Sequence, residues 1–173
     1  MPKEKTGVLE LPLIKRIRRN HGLEHATLHM LAKRFPNTSM GGYSNPSGFW
    51  IAGDVPLEAV RDSVDEALAR LRAGERKLAV HPNCGTNFIT TGTLAGLAGA
   101  AALFGAGKRW QDKLGRLPLA ASMATLVLIL TQPLGLSLQE HITTSGDPGS
   151  LEVIEIIKSQ RGGMTFHRVT TRG

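Results

Sequence analysis

The sequence contains a single cysteine, Cys84, and only 5% of its 173 residues are aromatic. One cysteine excludes a disulfide within the chain and is typical of a reducing compartment. No basic run is interleaved with aromatic side chains and no nucleic-acid motif is visible, so we expect no nucleic-acid partner despite the net charge of +7. The beginning of the chain also lacks the apolar core of a signal peptide, because KRIRRNH (15–21) interrupts the early apolar residues.

Charge is absent from two long stretches in the middle of the chain, 87–107 and 117–138. As helices, both are long enough to cross the roughly 30 Å of hydrocarbon in a bilayer. The linker between them, 108–116, is rich in basic residues and carries Trp110, a composition typical of a membrane interface. This pattern predicts a transmembrane helical hairpin in the cell membrane. The alternative is a buried hairpin in the core of a soluble protein.

A hairpin returns the chain to the side from which it entered, so the flanks 1–86 and 139–173 are expected to form one domain. We place this domain on the cytoplasmic side, because exporting a folded domain without a signal is harder than exporting a short linker. The predicted fold class is α+β, a small mixed domain interrupted by a two-helix transmembrane hairpin. Its predicted elements are a helix over 11–35, a loop over 36–48, a strand over 49–53, a helix over 56–74, a strand over 77–80 and a C-terminal β-hairpin that turns at Gly162–Gly163.

The apolar positions of the first helix recur at steps of three and four residues, which predicts one buried face. The same spacing places His21, Glu24 and His25 on that face. Burial of an unpaired carboxylate costs several kcal/mol or forces the group to keep its proton. We therefore expect a compensating partner: a metal, another side chain or a water-filled cleft. Gly22, which costs roughly 1 kcal/mol relative to alanine in a helix interior, is expected to let another segment approach closely.

The five residues HGLEH (21–25) fit the pattern H-x-x-E-H and resemble the inverted zinc motif of the inverzincin metallopeptidases. The resemblance implies that His21 and His25 bind zinc and that Glu24 is the general base that activates the metal-bound water. It also calls for a downstream glutamate as a further ligand. We choose Glu140, with His141 next, because the predicted hairpin brings this segment to the same membrane face as the motif.

Three other donors lie near the motif or the apolar runs. His29 continues the i+4 series, but about 12 Å of helix axis separates it from His21, so it either supports a ligand from outside the metal shell or faces solvent. His81 and Cys84 could bind the same ion or form a thiol–imidazole pair of their own. The alternative for these two is a tight turn that leads into the first apolar run. His167, on a predicted strand, is expected to be exposed.

The whole chain also resembles an uncharacterised family of bacterial membrane-associated proteins that is built on a domain of unknown function. The resemblance is carried by RNHGLEHATLH (19–29), by HPNCGTN (81–87) before the apolar hairpin and by TTSGD (143–147) before a strand. It implies the membrane hairpin and a compact flanking domain, and it brings no activity with it.

These observations leave three functional hypotheses. The first is a membrane-embedded, zinc-dependent hydrolase, peptidase-like, that acts on a peptide or protein substrate. The second is a non-catalytic membrane protein, such as an assembly or scaffold factor, whose His/Glu cluster is a polar network or a structural metal site. The third is a thiol-dependent enzyme that uses Cys84 and His81.

Overall fold

The computed structural model describes residues 7–173, and the chain divides into two compact units. The first unit extends to His81 and resumes over Glu140–Gly173, while the second is Pro82–Gln139. The first therefore contains both flanks of the apolar region, and the second contains the apolar region itself.

The first unit combines two helices with one antiparallel sheet, so its fold class is α+β. The sheet has the strand order β1-β2-β4-β3, and the hairpin β3–β4 turns at Gly162 and Gly163. The elements are α1 (Pro12–Arg34), β1 (Gly41–Asn45), β2 (Gly48–Ala52), α2 (Leu57–Arg72), β3 (Glu152–Arg161) and β4 (Met164–Arg172), with short 3₁₀ helices at Val8–Glu10 and Arg76–Ala79.

Local sequence explains where the two helices begin and end. Pro12 occupies the first turn of α1, where its missing N–H is not needed, and the helix ends before Pro36. In α2 the buried positions recur every three or four residues, and Gly74 supplies the positive φ that follows its last turn. The apolar core lies where α1 and α2 pack over one face of the sheet, and it includes Leu23, Met30, Phe49, Ile51, Val60, Val64 and Val169.

Polar side chains tie the middle of α1 to the sheet. The Asn20 amide donates to the Asn45 backbone oxygen at 2.8 Å, and the buried Thr171 hydroxyl donates to the Asn20 side-chain oxygen at 2.7 Å. Each of these contacts satisfies a polar group that burial would otherwise leave costly. They hold α1 in register with strands β1 and β4.

The second unit is entirely helical, with α3 (Gly85–Ala102), α4 (Trp110–Gly115), α5 (Leu117–Leu130) and α6 (Gln132–Leu138). A π-helical turn, Gln139–Thr143, follows α6. Helix α3 packs against α5 and α6, and the Asn87 amide donates to the Gln132 side-chain oxygen at 3.2 Å.

Within the described chain, no single helix combines the length and the apolar character needed to cross a membrane. One pair of segments, Leu117–Leu130 and Gln132–Thr143, meets that requirement together, across a bend of 44°. The transmembrane hairpin over 87–138 therefore stays a prediction.

Three local predictions are wrong. Residues 77–80 are mostly a 3₁₀ helix rather than a strand, and the predicted loop 36–48 contains strand β1. This strand exists because its backbone pairs with β2, a tertiary contact that outweighs its glycine-rich composition. His167 is completely buried, because alternate residues of β4 face the helices. Its burial and the charge of Lys158 lower its pKa.

Gly22 lies where another part of the chain crosses α1. The Ser145 N–H donates to the Arg18 carbonyl at 2.9 Å, and a Cβ on Gly22 would overlap the Ser145 carbonyl oxygen. The expectation of a close approach at Gly22 is confirmed.

We predict that Gly22→Ala destabilises the protein by about 1–3 kcal/mol, because overlap with a backbone oxygen outweighs the higher helix propensity of alanine. Chemical denaturation followed by circular dichroism measures this change. The matched control is Gly96→Ala in α3, where an added Cβ has no neighbour within 4 Å. Equal stability of wild type and Gly22→Ala would show that the segment at Ser145 is not held against the helix.

Candidate functional site

Two imidazoles meet on the inward face of α1. The ring centroids of His21 and His25 are 4.4 Å apart at an interplanar angle of 63°. A ring nitrogen of His21 lies within 4.8 Å of a ring nitrogen of His25. His25 is 2% exposed, whereas His21 is partly buried. The i, i+4 spacing on a helix produces this pairing directly.

Backbone carbonyls fix the orientation of both rings. Nδ1 of His25 lies 2.8 Å from the Ala79 oxygen, and Nδ1 of His21 lies 3.0 Å from the Thr143 oxygen. Because a carbonyl oxygen only accepts, each Nδ1 carries a proton, and in the neutral ring the lone pair is then on Nε2. Metal-binding histidines are commonly held in this way, with one nitrogen donating to a carbonyl and the other directed at the ion. The two rings are therefore held as metal-binding histidines commonly are, a geometry compatible with a bound metal ion.

Glu24 lies between the two histidines in sequence, and its side chain is directed at strand β1. It is 3% exposed, and the Ser44 hydroxyl donates to its Oε2 at 2.5 Å. Burial raises the pKa of the Glu24 carboxyl, while the Ser44 hydrogen bond and the charge of His21 act in the opposite direction. A Cβ at Gly42 would overlap the carboxylate, so β1 can approach this close only with glycine there. The carboxyl is thus placed to hold or exchange a proton beside the histidine pair.

Two more histidines extend the cluster along the same helix face. Nε2 of His29 lies 2.9 Å from the Val80 oxygen, and the His81 ring centroid is 4.7 Å from that of His29 and 5.7 Å from that of His25. Burial lowers the pKa of His81 to about 4, with smaller contributions from the charges of His29 and His25. The sequence analysis treated His81 as a metal donor or as the partner of Cys84. It left two alternatives for His29, support of a metal ligand or exposure to solvent. The i+4 series could have indicated that His21, His25 and His29 share one helix face, whereas no local signal places His81 beside them.

The predicted further ligands are placed differently. Glu140 and His141 lie on the π-helical turn that also carries Thr143, and both side chains are exposed. The backbone oxygen of His141 accepts a hydrogen bond from Arg18 at 3.0 Å. Their role as zinc ligands stays a prediction.

Cys84 belongs to the second unit, where it is a buried cysteine at the N-cap of α3. A thiol enzyme that relies on an imidazolium partner is not favoured by His81, because the lowered pKa keeps that ring neutral at physiological pH. The thiol hypothesis stays a prediction.

The fold and the site define an α+β protein in which one helix carries one buried histidine, two partly buried histidines and a buried carboxyl. Residues 16–156 match the family described as Domain of unknown function (DUF6391), and the chain belongs to this family. The chain is 37% identical over 142 residues to an uncharacterised protein of Picosynechococcus sp. (strain ATCC 27264 / PCC 7002 / PR-6). That similarity covers 75% of this chain and 66% of the relative, so the chain spans about two thirds of the length of that protein. No solved structure matches the chain.

We predict that His81 makes the metal-free protein progressively less stable as the pH is lowered from about 6.5 to 4. The His81 pKa is about 4 in the folded chain and 6.5 in its ordinary state, so the unfolded chain takes up this proton first. In a His81→Asn variant this contribution is absent. When unfolding free energies are measured at several pH values with a chelator present, the value of the wild type should therefore fall relative to that of the variant as the pH is lowered. A constant difference between them would contradict the lowered pKa of His81.

Proposed function

We propose that the protein is a membrane-embedded, zinc-dependent hydrolase of peptidase type, with His21 and His25 as zinc ligands. The observation that carries this proposal is the pair of imidazoles whose Nδ1 atoms donate to the Ala79 and Thr143 carbonyls beside the buried carboxyl of Glu24. The two imidazoles and the carboxyl lose solvation where α1 packs against the rest of the first unit. A cation bound nearby would offset this desolvation cost.

Zinc would supply Lewis acidity, which polarises a carbonyl and lowers the pKa of bound water. A mononuclear zinc site with two histidines needs a further protein donor. The sequence offers Glu140 and His141 for that position. Glu140 is the donor that the motif resemblance prefers.

Glu24 would handle the proton in this proposal. Its raised pKa allows the carboxyl to accept a proton at a less acidic pH than an exposed glutamate does. The Ser44 hydrogen bond fixes one carboxyl oxygen. The chain therefore offers a positioned acid–base group beside the metal ligands.

A non-catalytic role is the second candidate, and the burial of Glu24 favours it. A general base must reach the proton that it removes, yet this carboxyl is 3% exposed and engaged by Ser44. In this alternative the histidines and the carboxyl form a structural metal site or a polar network that holds α1 against the sheet. The protein would then serve as an assembly or scaffold factor.

We predict that the purified wild type contains about one zinc per chain and that the double variant His21→Ala/His25→Ala contains none. If the protein is a hydrolase, Glu24→Gln keeps the metal and loses at least about a hundredfold in the rate of cleaving a quenched fluorescent peptide library. Elemental analysis and the cleavage rate measure the two effects separately. Glu58→Gln is the matched control, because that carboxylate is exposed on α2.

The outcomes separate the candidates. Zinc without cleavage in the wild type supports the structural role, and zinc that survives the double histidine variant contradicts both uses of the site. Loss of zinc in Glu140→Gln, but not in His141→Ala, would identify the further ligand.

The membrane part of the proposal is supported by the surface of the second unit. Many large apolar side chains there are exposed, more than is usual for a surface in contact with water. They include Phe88 at 61%, Ile89 at 72%, Leu97 at 62%, Phe104 at 86%, Ile129 at 61% and Leu130 at 65%. A lipid bilayer covers such a surface without a specific partner, and Trp110 beside basic residues suits the headgroup region.

We predict that Gln111→Cys, in a Cys84→Ser background, is labelled by a membrane-impermeant maleimide added to intact cells. Residue 111 lies in the linker that this topology exports, whereas the flanking domain stays inside. Asp62→Cys, an exposed position of α2, is the control that should be labelled only after lysis. If only position 62 is labelled in intact cells, the orientation is opposite to the one proposed. If both positions are labelled, the transmembrane hairpin is excluded.

A further inference from the structure

A polar cleft of the first unit lies outside the histidine cluster. One wall is the end of α2 with the turn that follows it, including Arg72 and Arg76, and the other is the loop Gly146–Gly149. The cleft has a volume of about 270 Å³. This loop belongs to the TTSGD stretch that the sequence singled out, and the proposed zinc site does not use it.

Glycines bring this loop into direct contact with arginines. A Cβ on Gly146 would lie only 2.6 Å from the Cβ of Arg76 and 2.8 Å from its backbone oxygen, so only glycine allows that approach. Gly149 has φ of +52°, and a Cβ there would overlap the guanidinium of Arg19. The loop therefore rests on two arginines from different parts of the chain.

The charge around the cleft is unbalanced. Within residues 7–173, no carboxylate lies within the 4.0 Å salt-bridge distance of Arg19, Arg72 or Arg76. Arg72 donates to the Leu151 backbone oxygen at 2.9 Å, which fixes its guanidinium at the cleft. The acidic group of the loop is Asp147, and its Oδ1 accepts the Gly149 N–H at 2.9 Å. Two cations of the cleft lining, Arg72 and Arg76, thus face one carboxylate that is already engaged by the backbone, and Arg19 lies against Gly149 of the same loop.

We propose that this cleft binds a phosphate group. Guanidinium groups match phosphate oxygens through paired, charge-assisted hydrogen bonds, and the excess positive charge of the cleft favours a dianion over a neutral ligand. The volume accommodates a phosphate with a small substituent. The phosphate can belong to a free phosphorylated compound or to the headgroup of an anionic lipid, and the site is independent of the proposed zinc centre.

The first experiment is calorimetric titration of the full chain in maltoside detergent with inorganic phosphate at constant ionic strength. The expected result is saturable binding that weakens by about tenfold or more in Arg72→Gln/Arg76→Gln. Arg61→Gln on the same helix, where the guanidinium lies near Glu58, should bind like the wild type. Circular dichroism verifies that each variant is folded. If the double variant is unstable, the single variant Arg76→Gln, at an exposed position, replaces it in the titration.

A second titration distinguishes the two sources of the phosphate. Dihexanoyl phosphatidic acid that binds at least about tenfold tighter than inorganic phosphate, with the same dependence on Arg72 and Arg76, assigns the site to a lipid headgroup. Equal or weaker binding assigns it to a free phosphate compound. The proposal is overturned if neither probe binds at about 10 mM, or if the arginine variants bind both probes as tightly as the wild type does.

Discussion

Burial of the Glu24 carboxyl is the constraint on which the rest of the site depends. A carboxyl that is 3% exposed must keep its proton, find donors or face a cation, and here burial raises its pKa while Ser44 supplies a hydrogen bond. Strand β1 can supply this donor only because Gly42 leaves room for the carboxylate. The glycine at position 42, although unfavourable for a strand in isolation, is therefore a requirement of the neighbouring helix.

The same helix face imposes a second requirement, because each imidazole needs a partner for one of its nitrogens. The chain meets it with backbone rather than side chains: the carbonyls of Ala79 and Val80 serve His25 and His29. A 3₁₀ helix at Arg76–Ala79 ends where these carbonyls meet α1. A β-strand at these residues would give its backbone groups to a neighbouring strand, whereas here two carbonyls in succession contact the helix.

The two units place apolar side chains in opposite ways. In the first, the large apolar residues are mostly buried between helices and sheet, and charged groups cover the surface. In the second, α3 and α5 pack through small residues, with Gly99 close to Ala120 and Ala124, and the larger side chains are left outside. Small contacts inside and large apolar groups outside are typical of helices that pack in lipid. This contrast supports the proposal that the second unit lies in a membrane and the first in water.

The amino-acid sequence by itself determined the two helices of the first unit, the C-terminal hairpin and the inward placement of Glu24 and His25, because helical and strand periodicity are local properties of the chain. Only the tertiary structure decided that 41–45 forms a strand, that 76–79 does not, and that His167 is buried. These outcomes depend on hydrogen bonds and packing with residues far away in sequence, which no local pattern encodes. The row of His29 and His81 arose in the same way, since the carbonyls that orient α1 belong to a segment some fifty residues downstream.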